Sequence, residues 1–240
     1  MIRQAKGKMF LADERGLNET EWFQSWNTFN FGKYFNENKD PFGDLYVVND
    51  DTLDAGHSLR MIIEEHSYVI LLPVAGAIAY KDNLGNQNLI AAGQAQVLDL
   101  AKGAVIEITN PFKEGLVNFL RIWIRAGKTD EVATLNPLTY DVNKNLNSLI
   151  KVFPENPGTS SFPFTTSIGK FSGRGETIYK LTGENSGLFV FVIEGAFEVE
   201  GRLLHARDGL ALWEIEEVEL EALSNDAIIL IPVLDRKSVV

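Results

Sequence analysis

The 240-residue chain contains no cysteine and only three histidines, His57, His66 and His205. The absence of cysteine excludes disulfides, zinc–thiolate sites, iron–sulfur clusters and cysteine nucleophiles. None of the three histidines stands in a recognisable nucleophile context, so the sequence offers no Ser/His/Asp triad. Any chemistry of the chain has to come from carboxylates, these few imidazoles and the shape of a pocket.

Basic residues and long apolar runs are also scarce. Twenty-two Lys and Arg stand against 33 Asp and Glu, which gives a net charge of −11, and the basic residues are spread along the chain. Such a protein repels phosphate backbones. The longest mostly apolar run, residues 68–80, is broken by Pro73 and is shorter than the roughly 20 residues of a membrane-spanning helix. We expect a cytoplasmic protein that binds neither nucleic acid nor membranes directly.

The apolar pattern is typical of short β-strands. Segments rich in Val, Ile, Phe and Trp are separated by turn residues, and residues 218–222 alternate apolar and acidic side chains, as a strand with one wet face should. Only residues 143–150 predict a helix. Many short strands at close spacing indicate an all-β protein built from antiparallel sandwiches or barrels.

The chain repeats this pattern once. A strand, a glycine turn and a second strand around Gly76 recur around Gly195, at an offset of 119 residues. A repeat of half the chain indicates two similar barrels, because solenoid repeats are only about 20–50 residues long. We predict an N-terminal domain over residues 1–152, a linker over 153–166 and a smaller C-terminal domain over 167–240.

Several segments match known motifs in order. Residues 25–31 (Ser-Trp-Asn-Thr-Phe-Asn-Phe) resemble Ser-x-His-Thr-Phe-Ser-Phe, with Asn27 where histidine is usual. Residues 42–51, 81–86 and 120–124 resemble Gly-x-Leu-Arg-Val-Ile-Asn-Asp-Asp, Lys/Gln-Asp-Ser-Met-Gly-Asn and Leu-Gln-Ile-Trp-Ile. The C-terminal half keeps an Asp-Gly-Leu-Ala-Leu-Trp signature at residues 208–213. Together these resemble the pirin family of bicupins, which includes bacterial quercetin dioxygenases.

The resemblance implies two cupin barrels (double-stranded β-helix, jelly-roll) in tandem, with one metal ion, usually iron, in the N-terminal barrel. Family members hold it with a His-x-His pair and a His-x-Glu pair. Ungapped anchoring places the first pair on Ile62 and Glu64 and the second on Ile106 and Ile108. Isoleucine has no lone pair, and Glu64 alone cannot hold a divalent ion against water. We therefore expect no metal and no cofactor.

Two functions remain open. In the first, a non-catalytic bicupin binds a protein partner or a small, mostly apolar ligand, the latter contacted by Ile62, Glu64, Ile106 and Ile108; the barrel could equally be filled by its own side chains. In the second, a shifted metal site of His57, Glu64 and His66 supports a quercetin 2,3-dioxygenase-like oxidoreductase. The prediction leans away from an enzyme. We expect a monomer, because each barrel can bury its own core.

Overall fold

The computed structural model describes residues 5–127, 136–153, 162–181 and 187–234, and nearly all of their regular structure is β-strand. One 3-10 helix, Ala12–Glu14, is the exception. Over these residues no helix has the length and apolar character needed to cross a bilayer. The strands, in chain order, are β1 (Lys6–Phe10), β2 (Gly16–Glu19), β3 (Phe23–Asn27), β4 (Leu45–Leu53), β5 (Ser58–Ile62), β6 (Ser67–Ala75), β7 (Ala77–Asp82), β8 (Gln87–Ala91), β9 (Gln94–Leu100), β10 (Val105–Thr109), β11 (Val117–Arg125), β12 (Leu138–Thr139), β13 (Ser148–Lys151), β14 (Phe164–Phe171), β15 (Glu176–Lys180), β16 (Gly187–Glu194), β17 (Ala196–Val199), β18 (Arg202–His205), β19 (Gly209–Trp213), β20 (Glu217–Ala222) and β21 (Ala227–Leu234).

The prediction of a helix over residues 143–150 is wrong. β13 begins at Ser148 and pairs antiparallel with β14. Just before it, Asn147 has a left-handed backbone with φ 59°, a conformation that asparagine tolerates and a helix does not. The Asn147 side chain also accepts hydrogen bonds from the backbone N and the Oγ of Ser172. The turn at Asn147, which is stabilised by these hydrogen bonds from Ser172, therefore forms in place of the predicted helix.

The chain divides into two compact units. One is Arg15–Tyr140, here called the N-terminal barrel; the other, the C-terminal barrel, comprises the described residues of Met1–Glu14 and Asp141–Val240. This division differs from the predicted linker over residues 153–166, of which 154–161 lie outside the described residues. β13 and β14 flank that segment and pair in one sheet, so β13 is on the C-terminal side. The early strand β1 also belongs there, because it pairs with β19.

The N-terminal barrel is formed by two antiparallel sheets. Seven strands lie in the order β12-β9-β6-β11-β4-β3-β2, and four lie in the order β5-β10-β7-β8. Since successive side chains of a strand point to opposite faces, alternate residues of both sheets meet in one buried cluster. This cluster includes Leu71, Ile78, Ile106, Ile108 and Phe119.

The C-terminal barrel repeats this arrangement. Its larger sheet contains β19-β16-β21-β14 in the positions of β9-β6-β11-β4, and its smaller sheet, β15-β20-β17-β18, repeats β5-β10-β7-β8. The duplicated glycines occupy the same turn in both: Gly76 between β6 and β7 has φ 79°, and Gly195 between β16 and β17 has φ 77°. Only glycine adopts this backbone at little cost, so the predicted repeat reflects a shared turn.

Candidate binding site in the N-terminal barrel

The four positions at which the resemblance implies metal ligands do not all lie on one face of the sheet. β10 pairs with β5 such that Ile106 lies opposite Met61, while Val105 lies opposite Ile62. Paired residues share a face of the sheet, so Ile62 lies on the opposite face from Ile106 and Ile108. Accordingly Ile106 and Ile108 are fully buried, whereas Ile62 is 64% exposed.

Glu64 is also exposed, and the residue that enters the core beside it is Ile63. Backbone hydrogen bonds from Ile63 N to Ala104 O, and from Gly103 N to Ile63 O, fix this orientation. Of the four residues predicted to contact a ligand, Ile106 and Ile108 therefore lie inside the barrel, whereas Ile62 and Glu64 lie outside it. The ungapped alignment differs by one residue from the register of the sheet, which turns Met61 and Ile63 inward instead.

The three residues predicted to form a shifted metal site, His57, Glu64 and His66, do not come together either. His57 is exposed, and its ring stacks on Trp22 with centroids 5.3 Å apart. The Nε2 of His66 lies 2.6 Å from Oδ1 of the buried Asp99. Within the described ranges, no group of three or more His, Asp or Glu side chains is placed to share a metal ion. The residues present do not fit the metal that the resemblance implies.

A row of polar side chains crosses the inner face of the seven-stranded sheet. Asn27 pairs with Asn49, and Asn49 with Arg121. Arg121 in turn pairs with Leu71, which belongs to the core cluster. Since paired residues share a face, the side chains of Asn27, Asn49 and Arg121 point into the barrel, and all three are buried.

A buried ion pair anchors this row. Arg121 Nε donates to Asp51 Oδ2 over 2.7 Å, and their side chains are 1% and 0% exposed. Ser25 Oγ donates to the other oxygen of Asp51. The guanidinium carbon lies 4.9 Å from the ring centroid of Phe31 and 5.5 Å from that of Trp123. The charge of Arg121 is therefore balanced on its Nε side and flanked by aromatic faces, which suit its flat, weakly hydrated guanidinium.

Several polar atoms next to this pair have no partner among the described residues. They are Arg121 Nη1, Trp123 Nε1, and both Nδ2 and Oδ1 of Asn49. A buried donor or acceptor left unpaired costs about 1–3 kcal/mol, and native proteins satisfy such groups with ordered water or a ligand. We call Arg121, Trp123 and Asn49 the donor cluster. It presents three hydrogen-bond donors and one acceptor.

The three residues of the donor cluster are not among the site residues predicted from the sequence. Arg121 stands where the family motif has glutamine, within the otherwise apolar stretch Leu120-Arg121-Ile122. A charged residue at an inward position of a core strand is rare unless it is paired. That substitution, rather than the isoleucines, is the signal in the sequence that marks this part of the barrel.

Tyrosine side chains near the site are held in their neutral form. Burial raises the pKa of Tyr46 to about 12, although its hydroxyl is hydrogen-bonded to Ser67. Burial and a hydrogen bond to Asp82 also raise the pKa of Tyr80. These phenols can donate hydrogen bonds at neutral pH but do not act as bases.

Two barrels of this topology, with a core between the two sheets of each, define a tandem cupin protein. The family model described as "Pirin" matches residues 11–124, and the family model described as "Quercetinase C-terminal cupin domain" matches residues 164–233. Together these matches span most of the chain. The chain belongs to the pirin family, and the predicted all-β bicupin fold is confirmed.

Relatives and solved structures agree with this assignment. The chain is 22% identical to the quercetin 2,3-dioxygenase of Escherichia coli K12 over 91% of its own length and 95% of that protein's. It is 23% identical to a pirin-like protein of Caulobacter vibrioides over 91% and 96% of the two lengths. The crystal structure of YhhW from Escherichia coli superposes with a TM-score of 0.83 at 21% identity, covering 95% of this chain and 97% of that one. A nickel(II) complex of the same bacterial pirin gives a TM-score of 0.81 at 20% identity, covering 96% and 99%.

Proposed function

We propose that this pirin-family protein is a binding module whose N-terminal barrel works without a metal ion and takes a small ligand rather than catalysing an oxygenation. The observation that carries the proposal is the register of β5 and β10. It buries Ile106 and Ile108 at two of the family's ligand positions and turns Ile62 and Glu64 out of the barrel. Isoleucines cannot replace the nitrogen and oxygen donors of a metal centre.

A small ligand is favoured over a protein partner by the donor cluster. Its unpaired polar atoms are buried inside the barrel, where a protein surface cannot reach them. Ligand sites are typically apolar with a few placed polar groups, and the neighbouring core residues supply the apolar surface. A protein partner would instead have to use exposed side chains.

Metal content tests the proposal. Untagged protein, expressed in medium supplemented with iron, nickel, copper and manganese, is analysed by inductively coupled plasma mass spectrometry. We expect less than about a tenth of an equivalent of any of these metals, because the described residues of the barrel bring no three His, Asp or Glu side chains together. A near-stoichiometric amount of one metal would overturn the proposal.

Two grafted variants serve as matched controls for that measurement. One carries Met61→His, Ile63→His, Ile106→His and Ile108→Glu, following the register of the sheet. The other carries Ile62→His, Glu64→His, Ile106→His and Ile108→Glu, following the ungapped alignment. Only the first directs all four donors into the barrel, so we expect about one nickel per chain in the first and little in the second.

A flavonol dioxygenase is the second candidate, because the relative from Escherichia coli K12 that aligns with 91% of this chain is named a quercetin 2,3-dioxygenase. The metal-supplemented protein is incubated with quercetin, and its consumption is followed by absorbance. We expect no consumption above that in buffer with free metal. Turnover that disappears in His66→Ala would instead support the shifted site.

A further inference from the structure

The donor cluster also indicates what kind of molecule the barrel accepts, an inference that rests on the binding function proposed above. Arg121 and Trp123 are alternate residues of β11 and lie on one face, and Asn49 is the direct partner of Arg121 on β4. All three side chains are buried. Their unpaired atoms, Arg121 Nη1, Trp123 Nε1 and Asn49 Nδ2 and Oδ1, thus belong to one small region inside the barrel.

Aromatic rings surround this region. Phe31 packs edge-on against Trp123 with centroids 5.8 Å apart, and Tyr46 does the same at 5.9 Å. Phe31 and Tyr46 are only partly buried, so the aromatic wall extends from the donor cluster toward solvent. A flat, apolar ring is the shape that such a wall contacts best.

Charge decides between an anionic and a neutral ligand. The positive charge of Arg121 is already balanced by Asp51, which is itself fully buried. An anion bound to Arg121 Nη1 would leave one negative charge uncompensated in the interior, which is strongly unfavourable. A neutral carbonyl oxygen accepts the same hydrogen bonds without that cost.

The one hydrogen-bond acceptor of the donor cluster, Asn49 Oδ1, restricts the chemical class of the ligand further. Asn49 Oδ1 needs a donor, whereas Arg121 Nη1, Trp123 Nε1 and Asn49 Nδ2 need an acceptor. A carboxamide offers a carbonyl oxygen and an N–H on adjacent atoms. We propose that the donor cluster of the N-terminal barrel binds the carboxamide of a neutral aromatic compound, with its ring against Phe31 and Trp123.

Two probes of nearly equal shape test this proposal. Benzamide and benzoate are titrated into the untagged protein of measured metal content, at neutral pH, by isothermal titration calorimetry. We expect benzamide to bind at least about tenfold more tightly than benzoate, because only benzoate brings an uncompensated charge. Equal affinities, or tighter binding of benzoate, would overturn the proposal.

Variants locate the binding within the barrel. Trp123→Phe keeps an aromatic wall but removes the indole N–H, and should weaken benzamide binding about fivefold. Trp26→Phe is the matched control, because the indole N–H of Trp26 is already bonded to Gln24; it should bind benzamide like the wild type. Asp51→Asn removes the balancing charge and should reverse the preference in favour of benzoate. Circular dichroism verifies that each variant is folded.

The outcomes separate this inference from the proposed function. Benzamide binding that Trp123→Phe leaves unchanged, or no binding of either probe with ordered waters on Arg121 Nη1 and Trp123 Nε1 in a crystal structure, would overturn the carboxamide proposal alone. Stoichiometric metal in the same preparation would overturn the metal-independent function, whatever the probes do.

Discussion

The two barrels share a topology but differ in what their equivalent positions hold. The 119-residue offset of the repeat makes Pro73 and Val192 equivalent positions. Pro73 lies opposite Phe119 of β11, and Val192 lies opposite Ile229 of β21. Arg121 comes two residues after Phe119, and Ile231 comes two residues after Ile229. Ile231 is therefore the counterpart of Arg121. Because β4 pairs with β11 and β14 pairs with β21, Ser167 and Gly169 are then the counterparts of Asn49 and Asp51.

The C-terminal barrel thus closes over an apolar core at the place where the N-terminal barrel buries an ion pair. Ile229 and Ile231 are fully buried there and belong to that core. The fold itself therefore does not require the Asp51–Arg121 pair. Since buried ion pairs seldom stabilise a protein more than apolar residues of similar volume, the presence of the pair in one barrel alone supports the binding function proposed above.

Making the first barrel resemble the second should give the largest effect. Arg121→Met leaves Asp51 buried without its partner, and should lower the free energy of unfolding by about 3–5 kcal/mol. The double variant Arg121→Met, Asp51→Val removes both charges and should regain most of that loss. Urea unfolding of the two variants and the wild type, followed by tryptophan fluorescence, measures the difference.

Arg125→Met is the control on the same strand. Its side chain is 38% exposed and pairs with Glu65, so we expect a change within about 1 kcal/mol. If the double variant is as unstable as Arg121→Met alone, the ion pair contributes to the stability of the barrel. The difference from the C-terminal barrel would then not support a binding function.

The comparison of the two barrels also shows which features could be predicted from the sequence and which could not. The repeat around Gly76 and Gly195 predicts two equivalent barrels, because a positive φ at one turn restricts the residue type wherever that turn recurs. The face on which Ile62 lies could not be predicted by counting, because a shift of one residue moves a side chain to the other side of a strand. Arg121 was visible in the sequence, but its partner Asp51 lies 70 residues away along the chain, and only the pairing of β4 with β11 brings the two together.

The duplicated glycines provide a second, smaller test. A Cβ at Gly195 would overlap Ser224 Oγ and lie 3.0 Å from the backbone of Ala227, whereas one at Gly76 would lie 2.8 Å from a Val117 methyl group. Both alanine substitutions place a side chain at positive φ, which costs roughly 1–2 kcal/mol. We expect Gly195→Ala to destabilise the protein by about 1 kcal/mol more than Gly76→Ala, since it also meets backbone.

Thermal unfolding of the two glycine variants measures that difference. Gly85→Ala is a third variant that separates the two causes, because it has a positive φ but open space around the Cβ position. Its loss should be the smallest of the three. Equal losses in all three variants would show that backbone strain alone, and not the close approach at Gly195, sets the cost.

The hairpins that follow these two glycines are stabilised by different interactions, and Asp82 is the residue that tests this difference. The turn between β7 and β8 is built on Asp82, which accepts hydrogen bonds from the backbone N of Leu84 and Asn86 and from the side chains of Asn86 and Tyr80. The corresponding turn between β17 and β18 has two consecutive residues at positive φ, Glu200 and Gly201. Asp82→Asn should therefore cost about 1–2 kcal/mol at pH 7. Glu107→Gln, which weakens an ion pair with the exposed Lys81, should cost less than about 0.5 kcal/mol.

The pH dependence of the Asp82→Asn variant tests the cause. Burial opposes ionisation of Asp82, but the hydrogen bonds from Asn86, Tyr80 and Leu84 outweigh it and lower the pKa of the carboxyl group. A carboxyl group whose pKa is lower in the folded state stabilises the protein at neutral pH and loses that contribution as the pH falls through the folded pKa, starting below about 4. The difference in urea midpoint between wild type and Asp82→Asn should thus be constant from pH 7 to pH 5 and narrow at pH 3. A difference that does not change at pH 3 would mean that the turn depends on the shape of the side chain and not on its charge.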